Sequence, residues 1–296
     1  MRAIKKVSFL GLGVMGAPMA AHIAAKTECD ITVYNRTPSK ATAWVEQAGK
    51  GTVARTPAAA ASGADLVLLC VGNDDDLRSI LTAPDGVIFG IKPGTIIVDH
   101  TTVSAKAACD MAGIFAREDV YFMDAPVSGG QAGAINGTLT VMAGGTPELF
   151  EHVAPILRAA YAREMRLMGA VGAGQITKMV NQICIAGTLQ GLSEALSFGM
   201  KAGLDMDEVL AVISKGAAQS WQMDNRGKTM VADQFDFGFA LDWMIKDLRI
   251  VMDEAERSGV PLQITPQILG FYEELKSQGH GRCDTSALIK RLTKND

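Results

Sequence analysis

The sequence predicts an N-terminal α/β domain with a mostly parallel sheet, followed by an all-helical C-terminal domain. In the first half, short aliphatic runs alternate with helical segments, which is typical of a parallel sheet covered on both faces. A glycine-rich turn separates the first such run from the first helical segment. Beyond residue 147 only helical patterns remain. A chain of 296 residues suits two domains, and we place them at residues 1–165 and 166–296.

Six strands are predicted in the first domain, each from a continuous β-rich run. Because such runs lack the alternation of a half-exposed sheet, both faces of the sheet are expected to be buried. The predicted strands are Lys6–Leu10, Ile31–Tyr34, Asp65–Val71, Thr95–Asp99, Val120–Asp124 and Thr138–Met142.

Three helix starts are marked by a threonine directly before a proline. The threonine hydroxyl can cap the helix, and proline fits the first helical turn. These pairs are Thr37–Pro38, Thr56–Pro57 and Thr146–Pro147. In the second domain the pattern predicts helices over residues 175–200, 206–215, 241–258, 262–277 and 284–293.

The composition and charge of the chain argue against several classes of protein. Hydrophobic residues make up 48% and charged residues 20%, so substantial cores can form. A net charge of −4 without a basic cluster argues against nucleic-acid binding. Five scattered cysteines without a CxxC pair, and no recognisable signal peptide, indicate reduced thiols in the cytoplasm. The four histidines lack metal-ligand spacing, and we expect no metal.

The apolar stretch from Met179 to Met200 has the length of a membrane span. Several polar side chains would lie inside it, however, and these are costly in lipid. They are Asn181, Gln182, Gln190, Ser193 and Glu194. We therefore predict a buried helix, in a core or at a subunit interface, and no membrane association.

The glycine-rich turn predicts a nucleotide site. Glycines permit a tight turn, close approach of the backbone to a pyrophosphate, and close packing of helix on strand. The N–H groups and positive dipole end of the following helix then face the phosphates. A GxGxxG pattern alone is weak, but between a strand and a helix it favours dinucleotide binding over a merely structural turn. The turn consists of Gly11, Leu12, Gly13, Val14, Met15 and Gly16.

Residues after the second strand predict the choice of cofactor. NAD-selective sites usually place an acidic residue there to bind the ribose 2′-hydroxyl. This chain has Asn35, Arg36 and Thr37 instead. Arg36 can pair with a 2′-phosphate, which favours NADP over NAD, although a solvated loop arginine is the alternative. The loop that begins at Val71 is expected to border the adenosine side of the crevice.

Two further loops follow predicted strands and are expected to line the same crevice. Ser128, Gly129 and Gly130 can hold a substrate carboxylate with a hydroxyl and backbone N–H groups. An ordinary Gly-Gly turn would give the same pattern. Thr102 is expected to face the nicotinamide or the substrate, or else to cap the next helix.

Lys178 is the candidate catalytic residue. It lies near the start of an apolar helical run, where an ammonium is costly to desolvate. Desolvation and the helix dipole would both lower the pKa of Lys178, as suits a general acid–base. Asn181 projects from the same helical face and can orient the lysine or a substrate hydroxyl. A solvated lysine at a helix end is the alternative.

A later segment contains weaker candidates. Lys246 can reach the nicotinamide end of a cofactor, and Asp247 can hydrogen-bond or neutralise a nearby cation. Phe239 is a candidate for the substrate pocket. As local sequence, this segment is only an amphipathic helix with mixed charges.

Taken in order, these motifs resemble those of the β-hydroxyacid dehydrogenases, almost from end to end. That family includes 3-hydroxyisobutyrate dehydrogenase, tartronate semialdehyde reductase and glyoxylate/succinic semialdehyde reductase. The glycine turn is similar to the family's cofactor signature, and residues 124–130 to its substrate motif. Residues 174–181 resemble its catalytic helix, and Lys246, Asp247 and residues 279–288 match later features near the active site.

The resemblance implies a Rossmann domain followed by a helical domain, and a homodimer or homotetramer packed through the helices. It implies hydride transfer between a nicotinamide cofactor and a small hydroxy acid or its semialdehyde, with Lys178 as the catalytic residue. Two positions depart from common family patterns: Gln182 stands where many members have a second asparagine, and Asn35–Arg36 replaces the acidic pattern of NAD-using members.

Two rival hypotheses remain at this point. An imine reductase of the same fold is one, although that branch generally lacks the catalytic lysine. A non-catalytic nucleotide-binding scaffold is the other, since a fold alone does not determine function.

Overall fold

The computed structural model describes residues 1–293, and the chain divides into two compact units, Met1–Lys178 and Met179–Asp296. The first unit is α/β with a mostly parallel sheet and the second consists of helices, which confirms the predicted fold class. The predicted division at residue 165 falls inside a strand of the first unit. The division between the units falls instead inside a long helix that begins at Ala173.

Strands and helices alternate through most of the first unit. Its strands are β1 (Lys6–Leu10), β2 (Asp30–Tyr34), β3 (Thr52–Val53), β4 (Leu66–Leu69), β5 (Ile96–Asp99), β6 (Tyr121–Asp124), β7 (Val127–Ser128), β8 (Leu139–Gly144) and β9 (Ala162–Gly169). Its complete helices are α1 (Gly16–Lys26), α2 (Pro38–Ala48), α3 (Pro57–Ala61), α4 (Asp74–Thr82), α5 (Ala105–Ala116), α6 (Gly130–Asn136) and α7 (Pro147–Ala160).

The strands form one sheet in the order β3-β2-β1-β4-β5-β6-β8-β7, and β9 also pairs with β8. Strands β1 to β6 pair in parallel. β8 runs antiparallel to β6 and β7 and parallel to β9. The strand order reverses between β1 and β4, which is where open parallel sheets form a crevice beyond their carboxyl ends.

Two hydrophobic clusters account for the continuous apolar runs of the strands. Leu66 and Leu68 belong to one cluster, whereas Val67 and Leu69 belong to the other. Successive side chains of a strand point to opposite faces, so the two clusters cover the two faces of the sheet. All four residues of β4 are therefore buried.

β9 shows that the prediction of helices alone beyond residue 147 is wrong. Arg163, Glu164 and Arg166 are exposed, and a charged strand of this kind carries little of the apolar signal that marks buried strands. Its pairing with β8 through residues 139–144 makes it a strand. The two-residue strands β3 and β7 also lie outside the predicted set.

The predicted threonine caps are confirmed at two of the three positions. The Thr56 hydroxyl accepts a hydrogen bond from N of Ala59, and the Thr146 hydroxyl accepts one from N of Leu149. α2 begins at Pro38 as predicted, but the Thr37 hydroxyl makes no capping bond.

The second unit is built around one hydrophobic cluster. Its helices are the later part of α8 (Ala173–Lys201), α9 (Met206–Ile213), α10 (Trp221–Val231), α11 (Leu241–Ser258), α12 (Thr265–Leu275) and α13 (Lys290–Thr293). α10 lies outside the predicted set, because Gly227 in its middle lowers helix propensity. A Cβ on Gly227 would lie 2.7 Å from Leu210, so close packing on α9 accounts for this glycine. The predicted helix 284–293 is a 3-10 helix, Thr285–Ile289, followed by α13.

Within residues 1–293, no helix combines the length and the hydropathy that a membrane crossing requires.

Candidate active site

The parallel strands bring most of the predicted site residues of the first unit to one edge of the sheet. Leu10, Leu69, Asp99 and Asp124 are in register at the carboxyl ends of neighbouring strands. The loops that leave this edge contain the glycine turn after β1, Asn35 after β2, Val71 after β4 and Thr102 after β5, and Ser128 lies in the short strand β7 that follows β6. The turn and Val71 lie on the two sides of the switch in strand order, where such sheets bind dinucleotides.

The glycine turn is closed on one side by the protein backbone and open on the other. A Cβ on Gly11 would lie 2.2 Å from the carbonyl oxygen of Cys70, and its φ of +95° also requires glycine. A Cβ on Gly13, in contrast, would meet no protein atom within 4 Å. α1 begins at Gly16, and no side chain caps its first N–H groups. An uncapped helix start beside open space fits the pyrophosphate of a dinucleotide.

Asn35 and Arg36 differ in what their side chains do. Asn35 Oδ1 accepts a hydrogen bond of 2.9 Å from N of Leu12, so Asn35 holds the glycine turn against the end of β2. Its Nδ2 donates to the carbonyl oxygen of Thr37. The Arg36 side chain is 85% exposed, and its guanidinium lies 2.9 Å from the carboxylate of Asp76 in α4. Asp76 is 40 residues away in sequence, and the motif analysis did not indicate it.

Thr101 joins the loops after β4 and β5. Thr101 Oγ1 accepts a hydrogen bond of 3.0 Å from N of Val71, and N of Thr101 donates to Asp99. Thr102 is half-buried beside it. Ser104 caps α5 by accepting a hydrogen bond from N of Ala107, and this excludes the capping role that the sequence allowed for Thr102.

Asp124, at the end of β6, anchors the start of α8. Its carboxylate is fully buried and accepts hydrogen bonds from N of Gly172, at 2.7 Å, and from N of Gln175, at 2.9 Å. Burial raises the pKa of Asp124 to about 6, and the backbone N–H donors offset part of that effect. The carboxylate satisfies N–H groups that no residue within the helix can satisfy.

Gln175 makes the second attachment of α8 to the sheet. Its Oε1 accepts a hydrogen bond of 3.1 Å from N of Val103, and its Nε2 donates at 2.8 Å to the carbonyl oxygen of Thr101. The side chain is fully buried, so both bonds are protected from water. Lys178 follows one turn later and is also buried. The start of α8 is thus fixed to the ends of β5 and β6, next to the loops that carry the cofactor motif.

The Ser128 segment leaves its backbone accessible. Ser128 belongs to β7, and Gly129 and Gly130 follow with φ of +127° and +61°. A Cβ on Gly130 would meet no protein atom within 4 Å. The open space beside Gly130 suits the close approach of an anionic group to backbone N–H, whereas a Cβ on Gly129 would lie 3.2 Å from the side chain of Leu139.

In the second unit, four of the candidate or neighbouring side chains form one chain of contacts. Asn181 Nδ2 donates to Gln182 Oε1 at 2.8 Å, and Gln182 Nε2 donates to Asp247 Oδ2 at 2.7 Å. The Lys246 ammonium lies 3.1 Å from Asp247 Oδ1. Asp247 is only 3% exposed, so these two partners compensate much of the cost of burying its charge.

Phe239 is held in place by Asp284, a residue of the tail segment. N of Phe239 donates to Asp284 Oδ2 at 2.9 Å, and Arg226 Nε donates to Asp284 Oδ1 at 3.0 Å. The Arg226 guanidinium lies over the rings of Trp221 and Phe237. This network fixes the loop that carries Phe239, while the Phe239 side chain itself is half-buried.

Sequence reasoning missed several residues that organise these regions. Gln175 and Gln182 had a detectable signal, because each is polar within an apolar helical run. Asp76 had none, since its partner Arg36 is distant in sequence. Asp284 was indicated only as part of the family-like segment 279–288, and its contact with Phe239 was not. Among residues 1–293, no group of three or more His, Cys, Asp or Glu side chains is arranged to hold a metal ion.

Family models match both halves of the chain. The model for the NAD binding domain of 6-phosphogluconate dehydrogenase matches residues 6–172. The model for the NAD-binding region of NADP-dependent 3-hydroxyisobutyrate dehydrogenase matches residues 172–292. Together with the dinucleotide crevice, they define the class as an NAD(P)-binding oxidoreductase.

Individual relatives agree over nearly the whole length. An uncharacterized oxidoreductase of Shewanella frigidimarina is 56% identical over 98% of this chain and 99% of its own. A probable 3-hydroxyisobutyrate dehydrogenase-like protein of Arabidopsis thaliana is 36% identical over 97% of this chain and 85% of its own. The solved structure of Mycobacterium tuberculosis 3-hydroxyisobutyrate dehydrogenase with L-serine has a TM-score of 0.87 at 27% identity, covering 98% of this chain and all of that one. The chain belongs to the β-hydroxyacid dehydrogenase family.

Proposed function

We propose that this protein interconverts a small β-hydroxy acid and its semialdehyde, with NADP preferred to NAD and with Lys178 as general acid–base. One observation carries the proposal. Lys178 is buried one turn beyond a helix start that Asp124 and Gln175 attach to the ends of β5 and β6. Burying an ammonium at this position costs free energy, and a catalytic role for Lys178 accounts for that cost.

The first-unit residues have the following proposed roles. Ser128, Gly129 and Gly130 bind the substrate carboxylate through the hydroxyl and backbone N–H groups. In oxidation, neutral Lys178 takes the proton of the substrate hydroxyl. In reduction, the Lys178 ammonium donates a proton to the developing alkoxide. A bound nicotinamide cofactor would supply the hydride chemistry at the substrate carbon in both directions.

The cofactor contacts follow from the same edge of the sheet. The residues from Gly11 to Gly16 would hold the pyrophosphate, and Val71 and Thr102 would border the crevice. Arg36 would bind the 2′-phosphate of NADP by a charge-assisted hydrogen bond, in exchange for its exposed pair with Asp76. An exposed ion pair contributes at most about 1 kcal/mol, so this exchange costs little.

From the second unit we propose Asn181, Phe239 and Asp247 as substrate contacts and Lys246 as a cofactor contact. The resemblance of their motifs supports these roles, and the contacts of Asn181 and Asp247 with Gln182 support a defined orientation for both. We also propose that the protein is cytoplasmic and forms a homodimer or homotetramer. Light scattering coupled to gel filtration measures the number of subunits directly.

The first experiment is the rate of NADPH and NADH oxidation with a panel of small aldehyde acids. The panel contains glyoxylate and the semialdehydes of succinate, methylmalonate and tartronate, with a cyclic imine as control. We expect turnover of at least one aldehyde acid, faster with NADPH. Reduction of the imine alone would replace the proposal by an imine reductase. No reduction of any compound with either cofactor would contradict catalysis of this class.

A further inference from the structure

Both the oxygen and the nitrogen of the Gln182 side-chain amide form hydrogen bonds, and these two bonds fix the orientation of the amide. The side chain is 1% exposed, accepts at Oε1 from Asn181 and donates from Nε2 to Asp247. The Asp247 carboxylate requires a donor, so the NH2 group of Gln182 faces Asp247. The oxygen of Gln182 therefore faces Asn181 and accepts only an N–H from it.

The orientation of the Gln182 amide determines which atom of the Asn181 side chain faces away from Gln182. Its Nδ2 is directed at Gln182, so its Oδ1 is directed away from Gln182. An amide oxygen is an acceptor, which suits a hydroxyl or an ammonium and not a carbonyl or carboxylate. The Asp247 charge, itself 3.1 Å from Lys246, thus controls the orientation of Asn181 through one intervening amide.

We propose that Gln182 is a positioning residue for the reaction: it holds the Asn181 amide in one orientation, with Nδ2 toward Gln182 and Oδ1 toward the hydroxyl or ammonium partner, and it couples Asn181 to the Lys246–Asp247 pair. This inference rests on the proposed function, because the orientation of Asn181 matters only if the chemistry occurs beside Lys178 on α8.

Gln182→Met tests the proposal, because methionine has a similar volume and can make neither bond. We expect kcat to fall about 10- to 100-fold, since small displacements of catalytic groups cost that much. The KM for NADPH should change much less than kcat, because Gln182→Met leaves the glycine turn, Arg36 and the Lys246–Asp247 ion pair in place. Gln190→Met is the matched control: Gln190 is a buried glutamine two turns further along α8 that donates to Glu194. Its kcat should match that of the wild type.

Gln182→Glu provides a second test that does not depend on the folding of the methionine variant. An ionised glutamate cannot donate to Asp247 and repels it, whereas a protonated glutamate donates to Asp247 and accepts from Asn181. The ratio of kcat in Gln182→Glu to kcat in the wild type should therefore rise as the pH is lowered. A role in helix packing alone would give a ratio independent of pH.

The outcomes separate this inference from the proposed function. A wild-type protein that reduces no aldehyde acid contradicts the proposed function before any variant is compared. An active wild type with an unchanged kcat in Gln182→Met, an equal loss in Gln190→Met, or a pH-independent ratio in Gln182→Glu overturns the positioning role and leaves the proposed reaction intact.

Discussion

At the scale of single residues, the local environment of each charged side chain decides what it can do. Lys178 is buried, Lys246 is paired with Asp247, and Arg36 is exposed with a weak partner. Asp124 occupies the N-terminal N–H groups of α8, which offsets the positive end of the helix dipole.

Lys178→Ala should fold and bind cofactor but lose most of its turnover. Loss of a general acid–base lowers kcat by about 10²- to 10⁴-fold. Steady-state kinetics measures kcat, and a fluorescence titration of NADPH measures binding. Lys201→Ala, which removes an exposed lysine at the other end of α8, is the control. Near-normal turnover in Lys178→Ala would rule out the mechanism.

Arg36→Ala should raise the KM for NADPH by about 10- to 100-fold and leave the KM for NADH nearly unchanged. The lost contact is a hydrogen bond between two charged groups, which contributes roughly 1.5–3 kcal/mol. Asp76→Asn removes the competing carboxylate and should lower the KM for NADPH by up to about fivefold, the value of an exposed ion pair. Arg163→Ala, at an exposed arginine of β9, is the control. Equal effects on the two cofactors would contradict the role of Arg36.

At the scale of elements, the start of α8 is the decisive feature of the first unit. A helix of this length could begin one residue earlier or later without a large change in its own hydrogen bonds. Asp124 and Gln175 remove that freedom, because their partners belong to particular loops after β5 and β6. The position of Lys178 is thus set by the sheet.

Gln175→Leu should therefore reduce both stability and catalysis. It leaves N of Val103 and the carbonyl oxygen of Thr101 buried without their present partner, at about 1–3 kcal/mol each. We expect the free energy of unfolding to fall by roughly 2–6 kcal/mol and kcat to fall with it, since the helix start is less constrained. Denaturant unfolding and steady-state kinetics measure these effects. Gln267→Leu, at an exposed glutamine of α12, is the control and should change neither the free energy of unfolding nor kcat. A Gln175→Leu variant with wild-type stability and kcat would show that the hydrogen bonds of Gln175 are not needed to fix the start of α8.

At the scale of the whole molecule, two buried titratable groups of the first unit act on stability in opposite directions. Burial lowers the pKa of His100 from 6.5 to about 4, although its bond to the Ala125 carbonyl oxygen opposes this. Its other ring nitrogen contacts the Tyr161 hydroxyl at 2.7 Å. Burial raises the pKa of Asp124 from 3.8 to about 6. His100 thus contributes stability that is lost as the pH falls from 6.5 to 4, whereas the contribution of Asp124 is lost as the pH rises from 3.8 to 6.

Between pH 4 and 6 these contributions nearly cancel, because the unfolded chain binds a proton at His100 and the folded chain binds one at Asp124. Asp124→Asn removes one side of this balance. Relative to wild type, its free energy of unfolding should therefore fall on acidification, by at most about 1.4 kcal/mol per pH unit. Denaturant unfolding at several pH values between 4.5 and 6 measures the slope. Parallel pH curves for the two proteins would contradict the assigned protonation states.

The sequence by itself determined the fold class, the strand runs of the parallel sheet, the glycine turn and the position of Lys178 in an apolar helix. These features are local: a strand buried on both faces is apolar throughout, and a tight turn beside a phosphate requires glycine within a few residues. The same reasoning explains the two confirmed threonine caps, whose partners lie three residues away.

Only the tertiary structure decided which partner each polar side chain has. β9 is a strand because β8 lies beside it, and Asp124, Gln175 and Asp284 act on residues that are 45 to 74 positions away. Long-range hydrogen bonds depend on the meeting of two segments in space, and no local pattern of hydrophobicity encodes that meeting. Thr101 and Thr102 are neighbours with the same side chain, and only the fold assigns the bond with Val71 to the first of them.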